Sequence, residues 1–375
     1  MANILILGGG FSGVVAAERL AEKLSGEHQI TLVSRTSKFI FYPSLVRLAF
    51  GKCEPDDISF DLRETMLDYR VRFIQADVVH VDPHTRYVTV AGNEMNGDLH
   101  YDYLIFALGR RLATERVAGS FEYSHNLLTL EGALNFSDAL RHFHKGQVII
   151  GGCPESRLPV PLYETTFALS RLLKERNERE QAEITLILPD ESDLSFGGDQ
   201  MKQVLLDALG HHGIKLITNF PVSEISQGAI QTNDNRYLNY NLLMLLPPFR
   251  GTSALKNEDV TDENGYIFVD GKMRVHGVER MYAAGDCVAF SGPKMGHMAV
   301  RQAVVAAENV ISELHSEEPK EEYVHEMKLI IDEGGRDSIY LHKELWFEED
   351  VSVKQGRFWH WAKRAHEHFW QATHS

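Results

Sequence analysis

Asn3-Ile4-Leu5-Ile6-Leu7-Gly8-Gly9-Gly10-Phe11-Ser12-Gly13 sets an apolar run against a glycine cluster, and apolar residues at helical spacing follow as far as Leu24. The pattern predicts a strand over 3–7, a turn at Gly8 to Gly13, a helix through Leu24 and a second strand over Gln29-Ile30-Thr31-Leu32-Val33. In that βαβ context, G-x-G-x-x-G has a specific physical meaning. Gly8 permits the tight turn, Gly10 lets a pyrophosphate approach bare backbone, and Gly13 lets the helix pack on the sheet. The first N–H groups of the helix, Phe11 and Ser12 among them, face the phosphates with the positive end of the helix dipole. Where an acidic residue usually holds the ribose, the second strand ends in Ser34-Arg35: the serine can make one hydrogen bond, and Arg35 can lie over the adenine or reach its ribose.

The same order returns farther along. Gln147-Val148-Ile149-Ile150-Gly151-Gly152 leads into a helical stretch from Tyr163 to about Arg176 and a strand at Ile184-Thr185-Leu186-Ile187-Leu188. Because glycine and aspartate signals of the first unit reappear only at Gly285-Asp286, the reading is an α/β fold with two Rossmann-like dinucleotide-binding domains, the second inserted in the first. Residues 1–112 and 248–318 form the first domain and 113–247 the insertion, between Gly109-Arg110-Arg111 and Pro247-Pro248; 319–375 form a C-terminal region. A chain of 375 residues with 43% hydrophobic content can bury cores of that size. The net charge of -15 argues against nucleic acid as a partner. Three scattered cysteines, Cys53, Cys153 and Cys287, without CxxC or histidines at ligand spacing, predict no metal site and a reducing cytoplasm. No apolar run approaches the ~20 residues of a spanning helix, and no signal peptide is visible, so membrane contact is expected to be peripheral.

Two further segments address the cofactor. Tyr101-Asp102-Tyr103-Leu104-Ile105-Phe106-Ala107-Leu108-Gly109 is a buried strand ending in glycine, and Met281-Tyr282-Ala283-Ala284-Gly285-Asp286 is a short strand ending in Gly-Asp. With the first glycine loop, these resemble the FAD signatures of the pyridine nucleotide-disulfide reductase superfamily over residues 1–112 and 250–310. The resemblance implies FAD, with Asp286 on a ribityl hydroxyl and contacts from Ala107, Gly109, Arg110, Val78 and Gly285. Lys294-Met295-Gly296-His297 then reads as a turn into a helix whose N-terminus would stabilise the reduced ring, with charge added by Lys294. As solvated turn residues, Lys294 and His297 would do neither.

The run Phe39-Ile40-Phe41-Tyr42-Pro43-Ser44 and the segment Pro161-Leu162-Tyr163-Glu164 resemble the sulfide:quinone oxidoreductase and type II NADH dehydrogenase branch. That implies Pro43 beside the flavin, Glu164 near a quinone, and two electrons passing from a small soluble reductant (sulfide or NAD(P)H) through FAD to the quinone. A buried Glu164 could carry quinone protons, or could simply complement a helix dipole. The sulfur-carrying cysteines of the sulfide enzymes fall on Leu158 and near Leu329 in this chain. Cys153, displaced from both, reads as a redox group or as a small buried residue, and Cys287 as structural. The NADH reading is weakened as well, because the second glycine loop is Gly151-Gly152-Cys153-Pro154-Glu155-Ser156, with proline and a carboxylate where phosphate needs bare backbone. Three readings stand: a quinone reductase, an NAD(P)H dehydrogenase with an atypical nucleotide site, and a non-catalytic FAD-stabilised scaffold.

All four tryptophans lie in the last thirty residues. Phe358, Trp361, Ala365 and Phe369 follow helical spacing, flanked by Trp359, Ala362 and Trp370, with Lys363, Arg364 and His366 as polar positions. Such a helix suits a lipid headgroup layer, which would place the protein on the inner face of the cell membrane; docked on its own core or in a homodimer, it would not.

Overall fold

The computed structural model describes residues 1–24, 26–255, 259–333, 337–346 and 351–374. Its first layer is a parallel sheet of β1 (Asn3–Leu7), β2 (Gln29–Ser34), β3 (Arg72–Gln75), β4 (Tyr103–Phe106) and β9 (Met281–Ala283), in the order β9-β4-β1-β2-β3. Ile4 to Leu7 face Tyr103 to Phe106 on one side and Ile30 to Val33 on the other. All four residues of Ile4–Leu7 and of Tyr103–Phe106 are buried, as expected of parallel strands covered on both faces. Helix α1 (Phe11–Leu24) follows β1 and packs closely on α3 (Gly296–Leu314), small residues such as Ala16, Ala17, Ala303 and Ala307 letting the two approach.

A second parallel sheet repeats the plan: β5 (Gly146–Gly152), β6 (Ala182–Ile187), β7 (Lys215–Ile217) and β8 (Leu242–Leu246), in the order β7-β6-β5-β8, with helix α2 (Val160–Glu175) after β5. The chain passes between the two sheets twice, at Arg111–Leu112 and Phe249–Arg250. These two segments pair antiparallel, and Ala113 N–H donates to the Pro248 carbonyl. Beyond α3, residues 317–325 run without helix or strand into an antiparallel sheet, β10 (Glu326–Asp332), β11 (Ser338–Glu344) and β12 (Val351–Gln355), and then into α4 (Arg357–His374). This last sheet was not foreseen, although buried Leu329, Ile331, Ile339 and Leu341 alternate at strand spacing. Among the described residues no helix is long and apolar enough to cross a membrane.

Candidate active site

The first glycine loop lies at the carboxyl end of β1, where strand order reverses between β2 and β4, the place an open α/β sheet reserves for ligands. Gly8 has φ +111°, and a Cβ there would come 2.2 Å from the Ala107 carbonyl oxygen, so only glycine lets β1 and β4 meet at this level. A Cβ on Gly13 would stand 1.7 Å from the Gly8 carbonyl oxygen. Gly10 differs: nothing lies within 4 Å of where its Cβ would be. The first backbone bond of α1 runs from Val14 N–H to the Gly10 carbonyl, so the N–H groups of Phe11, Ser12 and Gly13 lie ahead of the helical ladder, beside that open space.

The other predicted contacts gather around this cradle. Ser34 is buried, with its hydroxyl 2.6 Å from the position of a Gly9 Cβ. Arg35 is exposed, 4.0 Å from Asp77, and its carbonyl accepts from Gln75 Nε2, which places Arg35 and the half-buried Val78 at the same end of the sheet. Gly285, at φ +91°, backs onto the Ser12 hydroxyl, and that hydroxyl donates to the Ala299 carbonyl (3.2 Å), locking the loop to α3. Gly285 N–H donates to Gln302 Oε1 (2.7 Å). Gly109, at φ +68°, turns the chain so that Arg110 pairs with Asp286 and lies 4.2 Å over the Phe249 ring. Arg110 Nε is buried without a hydrogen-bond partner among the described residues. Open space at Gly10, free helix N–H groups and this orphaned donor beside a carboxylate are the features an ADP-and-ribityl chain requires, so the residues fit FAD.

Farther from the loop the predicted residues separate. Pro43 is exposed in a short turn, Tyr42–Ser44, below the aromatic cluster of Phe11, Phe39 and Phe41. Lys294 is buried: its Nζ donates to the Val288 carbonyl and lies 4.6 Å from the Tyr266 ring centre. His297 accepts from Lys328 N–H (3.1 Å), and burial pushes it down to about 4, so at neutral pH it is uncharged; neither residue is the solvated turn position allowed for above. Cys153 sits in a separate apolar cluster with Ile149, Ile187, Val222 and Leu245, where burial pushes the thiol up to about 12. Surroundings of that kind supply no thiolate. Cys287, equally buried, faces the carbonyls of Phe106 and Ala284.

Glu164 lies in the first turns of α2, fully enclosed. It accepts from Asp332 N–H (2.8 Å) and pairs with Lys363 of α4. Burial raises its carboxyl above the ordinary range, and Lys363 draws it back down. Lys363 therefore points inward, not toward headgroups as its place on the helix suggested. The same inner face carries His360, paired with Asp332 (3.0 Å), and Glu367, which binds Ser44 and Arg47. It continues with Trp370, 4.9 Å from the Phe11 ring, and His374, paired with Glu18 (2.6 Å). Phe358, Trp361 and Phe369 face outward at 70%, 64% and 67% exposure, with Ala365 exposed between them. Sequence reasoning missed the inner stripe at 360, 363, 367, 370 and 374, although its three- and four-residue spacing was there to be read.

In the second sheet, the loop after β5 is closed. A Cβ on Gly152 would stand 2.5 Å from Ser156 Oγ, Glu155 adopts φ +64° and pairs with Arg250, and α2 begins at Val160-Pro161 without a side-chain cap.

Several known proteins share this arrangement. The family model described as pyridine nucleotide-disulphide oxidoreductase matches residues 2–306. A sulfide-quinone reductase of Aquifex aeolicus is 25% identical over 98% of this chain and 90% of its own. A type II NADH:quinone oxidoreductase of Haemophilus influenzae is 23% identical over 83% of this chain and 80% of its own. In fold, the solved sulfide:quinone oxidoreductase of Aquifex aeolicus superposes with a TM-score of 0.92 at 24% identity, covering 98% of this chain and 90% of that one. NDH2 of Plasmodium falciparum, in complex with NADH, gives 0.75 at 17% identity, covering 99% and 94%. The chain is an oxidoreductase belonging to the pyridine nucleotide-disulphide oxidoreductase family.

Proposed function

We propose that this protein is a peripheral membrane flavoenzyme, on the inner face of the cell membrane, that passes two electrons from a small soluble reductant through FAD to a quinone. The observation that carries this reading is helix α4: its outer face presents Phe358, Trp361 and Phe369 to the surroundings, while its inner face delivers Lys363 to the buried Glu164. Aromatic rings at that spacing suit the boundary of a bilayer, where a quinone resides. A carboxylate just behind them suits an acceptor that takes up two protons with its two electrons.

FAD, when bound, supplies the two-electron carrier. The open space at Gly10 would admit its phosphates beside the N–H groups of Phe11, Ser12 and Gly13, while Ser34, Arg35 and Val78 would flank its adenosine end and Arg110 and Asp286 would hold its ribityl chain. Burial raises the Glu164 carboxyl and Lys363 lowers it again, so the pair can take up or release a proton as charge changes beside it. Trp370 with Phe11, Phe39 and Phe41 keeps water from the inner side of α4. The relatives named for sulfide and for NADH share quinone as acceptor and differ in donor.

An NAD(P)H donor draws support from the repeated sheet order of the second domain, and sulfide from the crowded loop at Gly152 to Ser156, where a pyrophosphate would meet Glu155. Anaerobic titration of the purified protein with sulfide, NADH and NADPH in turn, followed at the oxidised flavin band, decides between them. The expected result is bleaching by one donor and recovery on adding a soluble quinone. A flavin that no donor bleaches would replace this reading with a non-catalytic scaffold.

A further inference from the structure

Where the two sheets meet, four cations converge: Arg110, Arg157, Arg250 and Lys294. Two carboxylates answer them, and both are engaged, Asp286 by Arg110 and Glu155 by Arg250. Arg157 and Lys294 have no carboxylate within ion-pair reach among the described residues. Both lie over the same buried ring: the Arg157 guanidinium is 5.4 Å and the Lys294 ammonium nitrogen 4.6 Å from the centre of Tyr266. Arg157 is held there by a backbone at φ +41°, strained for an arginine, and by bonds to the carbonyls of Gly292 (2.9 Å) and Phe290 (2.6 Å). Among the described residues, Lys294 has the carbonyls of Val288 and Phe290 (3.4 Å) as acceptors.

The remaining titratable groups around Lys294 do not neutralise it. Asp262 is spent on the N–H groups of Asn264 and Tyr266, Cys287 is a buried thiol, and His325 is bonded to Tyr323 and the Ser291 carbonyl. An ammonium buried without a counter-charge is costly, so the site disfavours the charged amine until negative charge arrives nearby. Burial, together with Arg157, pushes Lys294 down to about 7. A cavity of about 10 Å³ lined by Asp286, Lys294, Gln302 and His325 has room for one water to deliver a proton. Lys294 immediately precedes the cap of α3 and shares this wall with Asp286, inside the site read as holding FAD.

We propose that Lys294 is the proton acceptor coupled to reduction of the bound FAD: above neutral pH it is uncharged beside the oxidised cofactor and becomes ammonium when two electrons place negative charge on the isoalloxazine. This rests on the FAD reading above. The balance is two electrons from the donor and one proton from solvent to the flavin, giving its anionic reduced form, and one further solvent proton to the lysine amine.

The test is anaerobic spectroelectrochemistry of the FAD-loaded protein from about pH 8 to about pH 9.5, above the value of about 7 at which the oxidised-state amine is half protonated. Each proton linked to a two-electron couple shifts the midpoint by about 30 mV per pH unit. The wild type should fall by about 60 mV per pH unit, two protons, and Lys294→Met by about 30 mV, one proton. Lys294→Arg, charged throughout, should also show the one-proton slope, with a midpoint above the wild type at the alkaline end; it serves if the methionine variant fails to fold. Equal slopes in the wild type and either FAD-loaded variant would overturn the assignment. A protein that holds no FAD overturns the parent reading, and this inference with it.

Discussion

The three glycines of the family loop do two different things. Gly8 and Gly13 are closed in by backbone, whereas the missing side chain of Gly10 leaves space. Gly10→Val should therefore fold with nearly wild-type stability yet lose FAD, by at least on the order of a hundredfold in affinity, read by flavin content after desalting and by thermal melting. Gly13→Ala should instead fail in the fold itself. Cys153 makes a contrasting case. Its thiol, pushed up to about 12 in an apolar cluster, has no reactive form at neutral pH, so Cys153→Ala should cost about 1 kcal/mol of stability and leave quinone turnover within a factor of about two. A large loss of turnover with the fold intact would restore the cysteine as a redox group. The glycine roles were legible in the sequence because they follow from backbone geometry at fixed spacing; the setting of Cys153 was not, since the residues that enclose it come from segments dispersed between 117 and 245.

Helix α4 is built inside out. Its aromatic stripe is exposed, and its docked face is charged, holding Lys363 on Glu164 and Glu367 on Arg47. Replacing Lys363 with Met would leave Glu164 buried without a counter-charge and should cost about 3–5 kcal/mol at neutral pH. The sign of its pH dependence follows from the carboxyl, already raised by burial. Without Lys363 its folded-state value rises further, so the loss shrinks as acid protonates it and grows toward alkaline pH, as denaturant midpoints across pH would report. On the outer face, replacing Trp361 and Phe369 with Ser should leave melting unchanged and weaken binding to vesicles roughly tenfold per residue, measured by flotation. Unchanged flotation would assign that face to some other contact. The aromatic stripe could be read from spacing alone. The inner stripe could not, because the partner of Lys363 lies 199 residues away and no local pattern identifies it.

At the scale of the molecule, two parallel sheets with the same strand order are joined by a pair of crossing segments, and a third, antiparallel sheet carries α4 back over the first. The duplicated βαβ signal made the first two sheets legible, since strand, glycine turn and helix follow one another locally. The third depends on pairing between segments whose alternation is short. The whole account turns on the cleft at Gly10 holding FAD, and the direct measurement is the cofactor released on denaturing the purified protein, quantified against protein by absorbance and chromatography. The account predicts a yellow protein that releases FAD in an amount equimolar with the chain. A colourless protein that takes up no flavin on reconstitution would contradict it.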